Sequence, residues 1–547
     1  MSSRRIFDRR ALCLAALFTL TAPLASLSAQ EGEPTIFSDV VEVRVVNLEA
    51  VVTDRSGNRV TGLSAADFKL TVDGNQVPIE YFSEIQGGLV VDSGPAAGGG
   101  LPSLVPGQPV STSYLVFVDD FFPIERDRNR VIQSLISELP LLNPEDRMAI
   151  VAYDGKRLSM LTSWSQSSAA LDKALKAATL RPAQGLQRLA EQRRFLPGRG
   201  TNAFARLALP TGDFGRLTPE ERDYARLLTE QLRQTVSAAS ATLRSFAQPP
   251  GRKVMLLLSG GWPFDPTQIA SEDRSAPVIE SEFDRGYELY KPLADTANLL
   301  GYTLYPVDVP GLQGSGIDAS QQTAPSPIAG GLSDEQEVHG SLTYLAQRTG
   351  GQAMLNARRG KALGETASDT RSYYWLGFVP TRQRNDQNHR IKLQVLKPGL
   401  SLRSRGGYLD FARKTEVTAM VESILLFGSA PPGLVLPVQL GGIKRQGGKI
   451  EVPLSVGVPA DQVTVLPVGD RYVTEVELRI AVLDEDGNGA EIPIIPLKLD
   501  TAEKPGAGTL LRYDTSLKLR RKKHDIVIAV FDPATGKVIS NRLEIKP

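Results

Sequence analysis

Four short apolar runs in the middle of the chain restrict its fold more than any other feature of the sequence. Each run is followed within a few residues by polar or turn-forming residues; the runs cover residues 114–118, 148–152, 254–258 and 302–307. Strands buried on both faces of a parallel sheet have this continuous apolar character, whereas half-exposed strands alternate apolar and polar residues. The four runs therefore predict the core strands of a parallel sheet.

Helical patterns separate these runs, at residues 126–139, 167–178, 218–246, 289–300 and 341–349. The third pattern is the clearest, because Thr218 and Glu221 form a T-x-x-E capping box with Pro219 at the first helical position. Strands that alternate with helices through right-handed crossovers form doubly wound sheets. We therefore predict a doubly wound, Rossmann-like α/β domain over residues 113–370.

Segments of β character precede this domain. Residues 40–90 alternate apolar and polar residues around two turns and predict a small antiparallel β unit. One of its hairpins turns at Asp73-Gly74-Asn75, and we expect its second strand to continue through Val77, Ile79 and Tyr81. Residues 91–112 are rich in Gly and Pro and predict a linker, because they hold too little apolar surface to pack.

The region after the domain is also expected to be β structure. Residues 371–412 contain two strand patterns, which we expect to join the N-terminal β unit. Residues 417–547 hold alternating segments separated by Gly-containing turns. They predict a β-sandwich.

The N-terminus has the three-part layout of a secretory signal peptide over residues 1–29. Four arginines precede an apolar run over residues 11–25, and small residues follow it. This pattern predicts an exported protein, periplasmic or extracellular, with an uncleaved anchor as the alternative. Two export routes stay open: Arg4 and Arg5 resemble a twin-arginine signal, but Asp8 departs from that pattern and leaves general secretion equally suitable.

Composition excludes several classes of function. With 62 Lys+Arg against 61 Asp+Glu, the chain lacks the net field that a nucleic acid partner would need. A single cysteine, Cys13, rules out a disulfide framework and any thiolate-based zinc site, and three scattered histidines leave little for metal clusters or imidazole catalysis. The sequence also contains no G-x-S-x-G, H-E-x-x-H, C-x-x-C or P-loop pattern. These features favour a protein that is not an enzyme.

Successive segments of the central domain resemble a von Willebrand factor type A domain in their order and spacing. They are residues 114–119, 147–151, 200–202, 252–261 and 301–307, and they include Gly200-Thr201-Asn202 and Ser259-Gly260-Gly261. The flanking segments are similar to a secreted branch of that family found in Acidobacteria, so that the resemblance covers about residues 40–410. It implies a doubly wound α/β fold that binds its partner at the carboxyl ends of the central strands.

The resemblance also implies a place for a metal ion. The family often holds a divalent cation such as Mg²⁺ with a D-x-S-x-S loop, a threonine from a second loop and an aspartate from a third. Asp119 and Thr201 match the first and second loops, but Phe121 and Pro123 replace the serines, and Ser259-Gly260-Gly261 lacks the third carboxylate. We expect a degenerate site that holds no cofactor, with Mg²⁺ as the ion if one binds. In the alternative, Asp119 caps a helix or accepts backbone hydrogen bonds.

Aromatic residues stand where the resemblance implies metal ligands. We expect a rim of Asp120, Phe121, Phe122, Gly260 and Trp262 to contact a partner protein, with apolar contacts in place of a bridging ion. The chain is thus predicted to be a secreted, non-catalytic protein-interaction or adhesion protein. In the alternative, both phenylalanines pack under neighbouring loops.

Two other classes of function stay open. The C-terminal sandwich is a candidate for binding carbohydrate or a cell-envelope polymer, and Lys518 with residues 520–523 forms a basic run that also suits a solvated strand edge. Residues 484–489 match the start of a Ca²⁺ loop, but Ile495 stands where glutamate is required, which favours a plain turn. An unrecognised hydrolase would need polar residues in a deep pocket; His339, His389 and His524 are expected at the surface or at caps instead.

Overall fold

The structure is a computed structural model of the 547-residue chain. It describes residues 45–93, 105–196, 216–246, 251–271, 278, 282–284, 286–311, 329–380, 385–410, 412–427, 435–486, 489–506 and 508–546. The predicted signal peptide lies outside these residues. Within them, no helix is both long enough and apolar enough to cross a membrane.

The N-terminal strands are β1 (Val46–Thr53), β2 (Phe68–Val72), β3 (Asn75–Gln76), β4 (Tyr81–Gln86) and β5 (Leu89–Ser93). β2 and β3 form the hairpin at Asp73-Gly74, with Val72 opposite Asn75. The predicted continuation of its second strand to Tyr81 is wrong. The Val77 amide still donates to the Leu70 carbonyl at 3.1 Å, and the chain then leaves this sheet, because Tyr81 and Phe82 are buried in a strand that pairs elsewhere.

The second part of the predicted linker pairs with β5. Residues 94–104 lie outside the described part of the chain, but the stretch from Val105 to Val110 turns back along β5. The Val90 and Gly107 amides donate hydrogen bonds to the Gln108 and Val90 carbonyls at 3.0 and 2.8 Å. Backbone pairing therefore fixes the entry to the central domain.

A mostly parallel sheet forms the centre of the molecule. Its described strands are β6 (Thr112–Asp119), β7 (Arg147–Tyr153), β8 (Leu158–Ser165), β9 (Arg252–Ser259) and β10 (Tyr302–Asp308). They follow the order β10-β9-β6-β7-β8, and every neighbouring pair is parallel except β7 with β8. The four apolar runs lie in β6, β7, β9 and β10; β8 is an edge strand that the sequence did not predict.

Helices cover both faces of this sheet. They are α1 (Glu125–Glu138), α2 (Ser168–Thr179), α3 (Gly185–Phe195), α4 (Pro219–Ser245), α5 (Pro266–Ala270), α6 (Tyr287–Leu300), α7 (Ala329–Thr349) and α8 (Ala362–Thr370). The capping box of α4 is present, with the Glu221 amide donating to Thr218 Oγ1 at 3.2 Å and the Thr218 amide to Glu221 Oε2 at 2.8 Å. One buried face of β6 packs against α4 and α6, and the other against α1, α2 and α8. This double coverage explains the continuous apolar runs.

The chain then returns to its first strands through β11 (Tyr373–Phe378), β12 (Gln387–Val395), β13 (Ser401–Arg403) and β14 (Gly407–Asp410). β11 lies between β1 and β4 and is antiparallel to both. β12 pairs with β2, and β13 with β1. Strands from residues 371–412 thus share sheets with strands from residues 45–93, and their inner faces form one apolar cluster.

A helix that the sequence did not predict, α9 (Arg413–Phe427), follows these strands. Its buried residues Val417, Val421 and Ile424 recur at helical spacing. Arg244 of α4 donates two hydrogen bonds to Glu422, at 2.7 and 2.8 Å, and the Phe246 and Phe427 rings lie 5.6 Å apart. The helix therefore packs against the central domain.

Two antiparallel sheets complete the described chain. Their strands are β15 (Val438–Leu440), β16 (Lys444–Gln446), β17 (Lys449–Pro459), β18 (Leu466–Val468), β19 (Arg471–Asp484), β20 (Ile494–Thr501), β21 (Leu510–Arg520), β22 (His524–Phe531) and β23 (Val538–Ile545). One apolar cluster joins the inner faces of β17 and β21 to those of β19 and β22. On the outer face of the second sheet, Val527 and Ala529 pack against Val421 and Ile424 of α9.

Candidate functional site

The carboxyl ends of β6, β9 and β10 meet at one edge of the central sheet. Asp119 ends β6, Gly260 follows β9, and Asp308 ends β10. From β6 the chain runs outward to β7 and β8, and it later returns to β9 on the opposite side of β6. Loops diverge at such a reversal and leave a crevice, which is where ligands bind in open α/β sheets.

Asp119 connects two of these loops. Its Oδ1 accepts the amides of Phe121 and Phe122 at 2.8 and 3.1 Å, and its Oδ2 accepts the Gly260 amide at 3.1 Å and Trp262 Nε1 at 2.8 Å. The side chain is fully buried. Burial raises the pKa of Asp119 to about 6, against the four hydrogen bonds, which lower it. The carboxylate thus holds the loop after β6 against the loop after β9.

This arrangement does not fit a divalent cation. Four N–H groups direct their positive ends at the Asp119 oxygens, so an ion would have to displace them. The predicted threonine ligand, Thr201, lies outside the described residues. The loop at Ser259-Gly260-Gly261 brings no carboxylate, and Asp119 acts as the backbone acceptor that was the alternative to a ligand.

Asp120 is paired with arginines and turned away from the rim. Arg128 Nη1 contacts its Oδ1 and Arg181 Nε its Oδ2, both at 2.6 Å. Asp120 and Arg128 are fully buried. Removing one member of such a pair leaves an uncompensated buried charge, which is strongly destabilising. Asp120 therefore joins α1 to the segment before α3, and the prediction that it contacts a partner is wrong for this structure.

Phe121 and Phe122 lie at the rim, half-buried. Their rings are 5.1 Å apart at 83°, and the Arg188 guanidinium lies 4.7 and 4.4 Å from the two ring centroids. A cation over aromatic faces in this range is attracted to both rings. Phe121 packs close to Gly155, where an added Cβ would overlap its ring. The two phenylalanines are thus held in place, and Phe122 lines the crevice.

Trp262 is not the exposed anchor that the sequence predicted. Its side chain is 0% exposed and stacks on Tyr290, with ring centroids 6.3 Å apart and planes at 5°. The indole also donates to Asp119, so both its apolar face and its polar edge are occupied. Trp262 supports the rim from beneath. Gly260 is needed there for close packing, because a Cβ would overlap Phe122 and Pro123.

A cavity of about 560 Å³ opens at this edge of the sheet. Much of its wall is apolar and comes from the loop after β6, α3, α4, α5, the loop after β10 and α7; examples are Phe122, Leu189, Leu228, Ile269, Pro310 and Val338. The volume lies in the range of small-molecule and side-chain binding pockets. The site that the sequence placed at the rim is therefore a concave surface with a defined interior.

Charged groups also line this cavity. Arg126, Arg130, Arg188 and Arg359 contribute four cations, against three carboxylates from Asp127, Asp308 and Glu335. Arg126 and Arg130 share Asp127, at 3.4 and 3.6 Å, and their side chains are 78% and 58% exposed. Among the described residues, Arg126 and Arg130 form ion pairs with Asp127 alone.

His339 also lines the cavity. Its Nε2 is 3.3 Å from Asp308 Oδ2 and 3.8 Å from Glu335 Oε1. It lies inside α7, which begins ahead of the helical pattern predicted for residues 341–349. In the described part of the chain no hydroxyl is hydrogen-bonded to His339, and the nearby Ser341 hydroxyl donates to the Trp262 carbonyl at 2.6 Å.

The sequence indicated only part of this site. Asp308 ends an apolar run as Asp119 does, and this shared position is a sequence signal for the site. Arg188, Leu189 and Arg359 carry no local signal, because helices distant in the sequence bring them to the crevice. The sequence therefore predicted which edge of the sheet holds the site, but it did not predict the cavity or the residues that line it.

The remaining candidate sites have other roles. His389 and His524 are each 4% exposed, so neither is a surface residue, which was one of the two roles expected for them. His389 Nδ1 is 2.8 Å from Asp73 Oδ2 and its ring stacks on Tyr408. In the calcium-like segment, Asp486 is paired with Lys522, and the Asp484 carboxylate accepts the Asp486 amide at 3.0 Å. These contacts are those of a turn.

Comparisons with known proteins assign no family. No family model matches the chain, and no curated protein does. Among solved structures, the TFIIH p34 N-terminal domain is similar over 47% of this chain and 97% of that one, with 12% identity and a TM-score of 0.19. The pilus adhesin SpaC of Lactobacillus rhamnosus GG is similar over 80% and 54%, with 10% identity and a TM-score of 0.25.

A β-glucuronidase of Bacteroides uniformis is similar over 33% of this chain, with 9% identity and a TM-score of 0.14. The chain spans only 19% of that enzyme and about half of the adhesin. TM-scores of this size establish no shared fold. The interpretation of the site therefore depends on its own geometry.

Proposed function

We propose that this chain is an exported, non-catalytic protein-interaction protein with a von Willebrand A-like central domain, which binds a segment of a partner protein in the cavity at the carboxyl end of the sheet. The observation that carries the proposal is the cavity itself. It combines apolar side chains with arginines in its lining, at the place where the strand order reverses.

The chemistry of the cavity favours an acidic segment with an apolar anchor. Leu189, Leu228, Ile269 and Phe122 would receive an aliphatic or aromatic side chain. Arg126 and Arg130, which share a single carboxylate, would pair with a neighbouring Glu or Asp of the partner. Such a site needs no bridging ion, in keeping with the hydrogen bonds that surround Asp119.

Export is the second part of the proposal. It is supported by the three-part pattern of residues 1–29 and by the absence of cysteine from the rest of the chain. N-terminal sequencing of the protein from the cell envelope or medium tests it. A mature chain that begins near residue 30 supports export, and an intact N-terminus in the cytoplasmic fraction contradicts it.

Binding can be tested with labelled peptides and the full mature chain, by fluorescence polarisation. The probes are a peptide with a central Phe flanked by Glu and the same peptide flanked by Lys. Leu189→Trp places a larger side chain at the cavity wall, whereas Leu186→Trp is a matched control: Leu186 is 67% exposed on the same helix and does not line the cavity.

The Glu-flanked peptide should bind and lose about tenfold or more in affinity with Leu189→Trp, a change of about 1.4 kcal/mol. Arg130→Glu should lower the affinity for this peptide by a similar factor. Leu186→Trp and a chelator should leave the affinity unchanged. Equal affinities of the Leu189→Trp and Leu186→Trp variants for the peptide would exclude the cavity as the binding site. Chelator-sensitive binding would instead support a metal-bridged site.

A further inference from the structure

One end of the outer face of the sheet that contains β17 and β21 is strongly basic. Along β17, residues such as Ile450 and Val452 point into the sandwich core, so Lys449 and Glu451 face outward. The register of β21 places Arg520 opposite Lys449 and Lys518 opposite Glu451. Lys444 of β16 lies opposite Glu451 on its other side. We name Lys444, Lys449, Lys518 and Arg520 the basic face.

The cations of the basic face are poorly neutralised. No described residue forms an ion pair with Lys444, Lys449 or Lys518, and Arg520 is 3.9 Å from Asp484 with its side chain 70% exposed. The Glu451 carboxylate accepts a hydrogen bond from Ser516 Oγ at 3.1 Å. The face therefore carries a net positive charge that is open to solvent.

This arrangement works against the stability of the sheet. Lys449 and Arg520 are directly opposite each other in an antiparallel pair. Like charges in that position destabilise a sheet by roughly 0.2–1 kcal/mol. A neutral or acidic residue at either position would keep this surface solvated without the repulsion.

Protection of a strand edge explains only part of the cluster. β21 pairs with β17 alone among the described strands, and lysine or arginine on such an edge discourages further pairing. Lys449, however, belongs to β17, which has β16 on one side and β21 on the other. An inner strand has no free edge to protect, so its cation requires another reason.

We infer that the basic face binds a linear anionic polysaccharide. Side chains on one face of a strand recur about every 7 Å, and neighbouring strands lie about 4.8 Å apart, so the cations form a flat grid. Such a grid suits an extended polymer with regularly spaced carboxylates. Ser455 and Ser516 lie farther along the same face, where their hydroxyl groups are already hydrogen-bonded to Asp514 and Glu451, so the cations are the groups that would contact the polymer.

Other polyanions fit this face less well. The outward residues of β17 and β21 near the cations are Pro453, Ser455, Asp514 and Ser516, and none is aromatic or a large aliphatic residue. Proteins that bind a membrane surface insert such side chains among the lipids. Proteins that bind single-stranded nucleic acid stack aromatic rings on the bases. A carbohydrate with carboxylate groups requires neither.

Titration of the full mature chain with polygalacturonate tests this inference, which does not depend on the proposed cavity site. Neutral dextran, phosphatidylglycerol vesicles and single-stranded DNA are the comparison probes. The test variant is Lys449→Glu with Lys518→Glu. A control variant, Lys504→Glu with Lys537→Glu, makes the same change in net charge at exposed positions away from the basic face.

We expect polygalacturonate to bind, with an affinity that falls as salt is added. The test variant should bind it about tenfold or more weakly, and the control variant should bind it as the unsubstituted protein does. Far-UV circular dichroism spectra of both variants should match that of the unsubstituted protein, which shows that each variant is folded. Equal losses in test and control variants would overturn the inference, because net charge alone would then explain binding. So would binding of vesicles or DNA without binding of polygalacturonate.

Discussion

Trp262 Nε1 donates a hydrogen bond to Asp119 Oδ2 at 2.8 Å, and both side chains are fully buried. The bond joins the end of β6 to the loop after β9, across 143 residues of sequence. A hydrogen bond to a buried carboxylate is stronger than one between neutral groups. The pair therefore fixes the geometry of the two loops that form one wall of the cavity.

Trp262→Phe should lower the free energy of unfolding by about 1.5–3 kcal/mol at pH 7, the usual effect of losing a hydrogen bond to a charged group. The pKa of Asp119 is already raised to about 6 by burial, so the loss should shrink as pH falls through that value and the carboxyl group gains a proton. Urea unfolding from pH 4 to 8 measures both effects.

Trp164→Phe is the matched control for that experiment. Trp164 is partly buried and packs edge-on against Phe246, with centroids 5.5 Å apart, but it has no contact with Asp119. Its substitution should have a smaller effect that does not vary with pH between 5 and 7. A pH-independent loss in Trp262→Phe would contradict the assigned role of the Asp119 hydrogen bond.

Magnesium should not stabilise the protein. The Asp119 oxygens accept four N–H groups, so an added cation has no free lone pair to meet there. A ligand at 100 times its dissociation constant would add about 2.7 kcal/mol to the free energy of unfolding. The melting temperature should be equal in millimolar Mg²⁺ and in chelator. If Mg²⁺ raises the melting temperature and this increase disappears in Asp119→Asn, then Asp119 binds the ion.

The position of the site was predictable from sequence, and its internal contacts were not. Asp119 follows an apolar run that becomes β6, and strand ends in a parallel sheet meet at one edge. Nothing local to Trp262 indicates that its indole turns inward to that carboxylate. Phe121 and Phe122 were placed at the rim, but Arg188, which lies over both rings, comes from a helix with no predictive pattern.

Burial on two faces explains which elements the sequence revealed. The core strands are continuous apolar runs because helices cover both sides. The edge strand β8 is only partly buried and carries no such run. The helix α9 was missed among strands with period two, although Val417, Val421 and Ile424 have helical spacing. In β22, the consecutive apolar residues from Ile526 to Val530 already indicated a second covered face.

Asp369 connects the central domain to the N-terminal β unit. Its ion pairs should make the free energy of unfolding decrease at low pH. Arg403 Nη2 lies 2.6 and 2.7 Å from its oxygens, Tyr305 donates its hydroxyl at 2.6 Å, and Arg59 also contacts it. Burial alone would raise the pKa of Asp369, but the charge and hydrogen bonds of Arg403 outweigh burial and lower the pKa to about 2.

Because the folded pKa is below the unfolded value, Asp369 stabilises the protein above about pH 4, and this contribution is lost as pH falls through about 2. Asp369→Asn should therefore cost about 2 kcal/mol or more near neutral pH and much less near pH 2. Asp172→Asn, which removes an exposed pair with Lys176, is the control and should have little effect. A cost for Asp369→Asn that stays constant down to pH 2 would contradict this role.

Lys449→Gln should stabilise the protein while weakening polymer binding. The substitution removes the repulsion between Lys449 and the directly opposite Arg520, a gain of roughly 0.2–1 kcal/mol. Salt screens charges at the surface, so the gain should be largest at low ionic strength and fade near 0.5 M NaCl. Thermal unfolding at several salt concentrations measures it, with Lys504→Gln as a control at an exposed position outside the strands. If Lys449→Gln lowers the melting temperature at low salt, Lys449 supports the fold and the repulsion argument for a binding role fails.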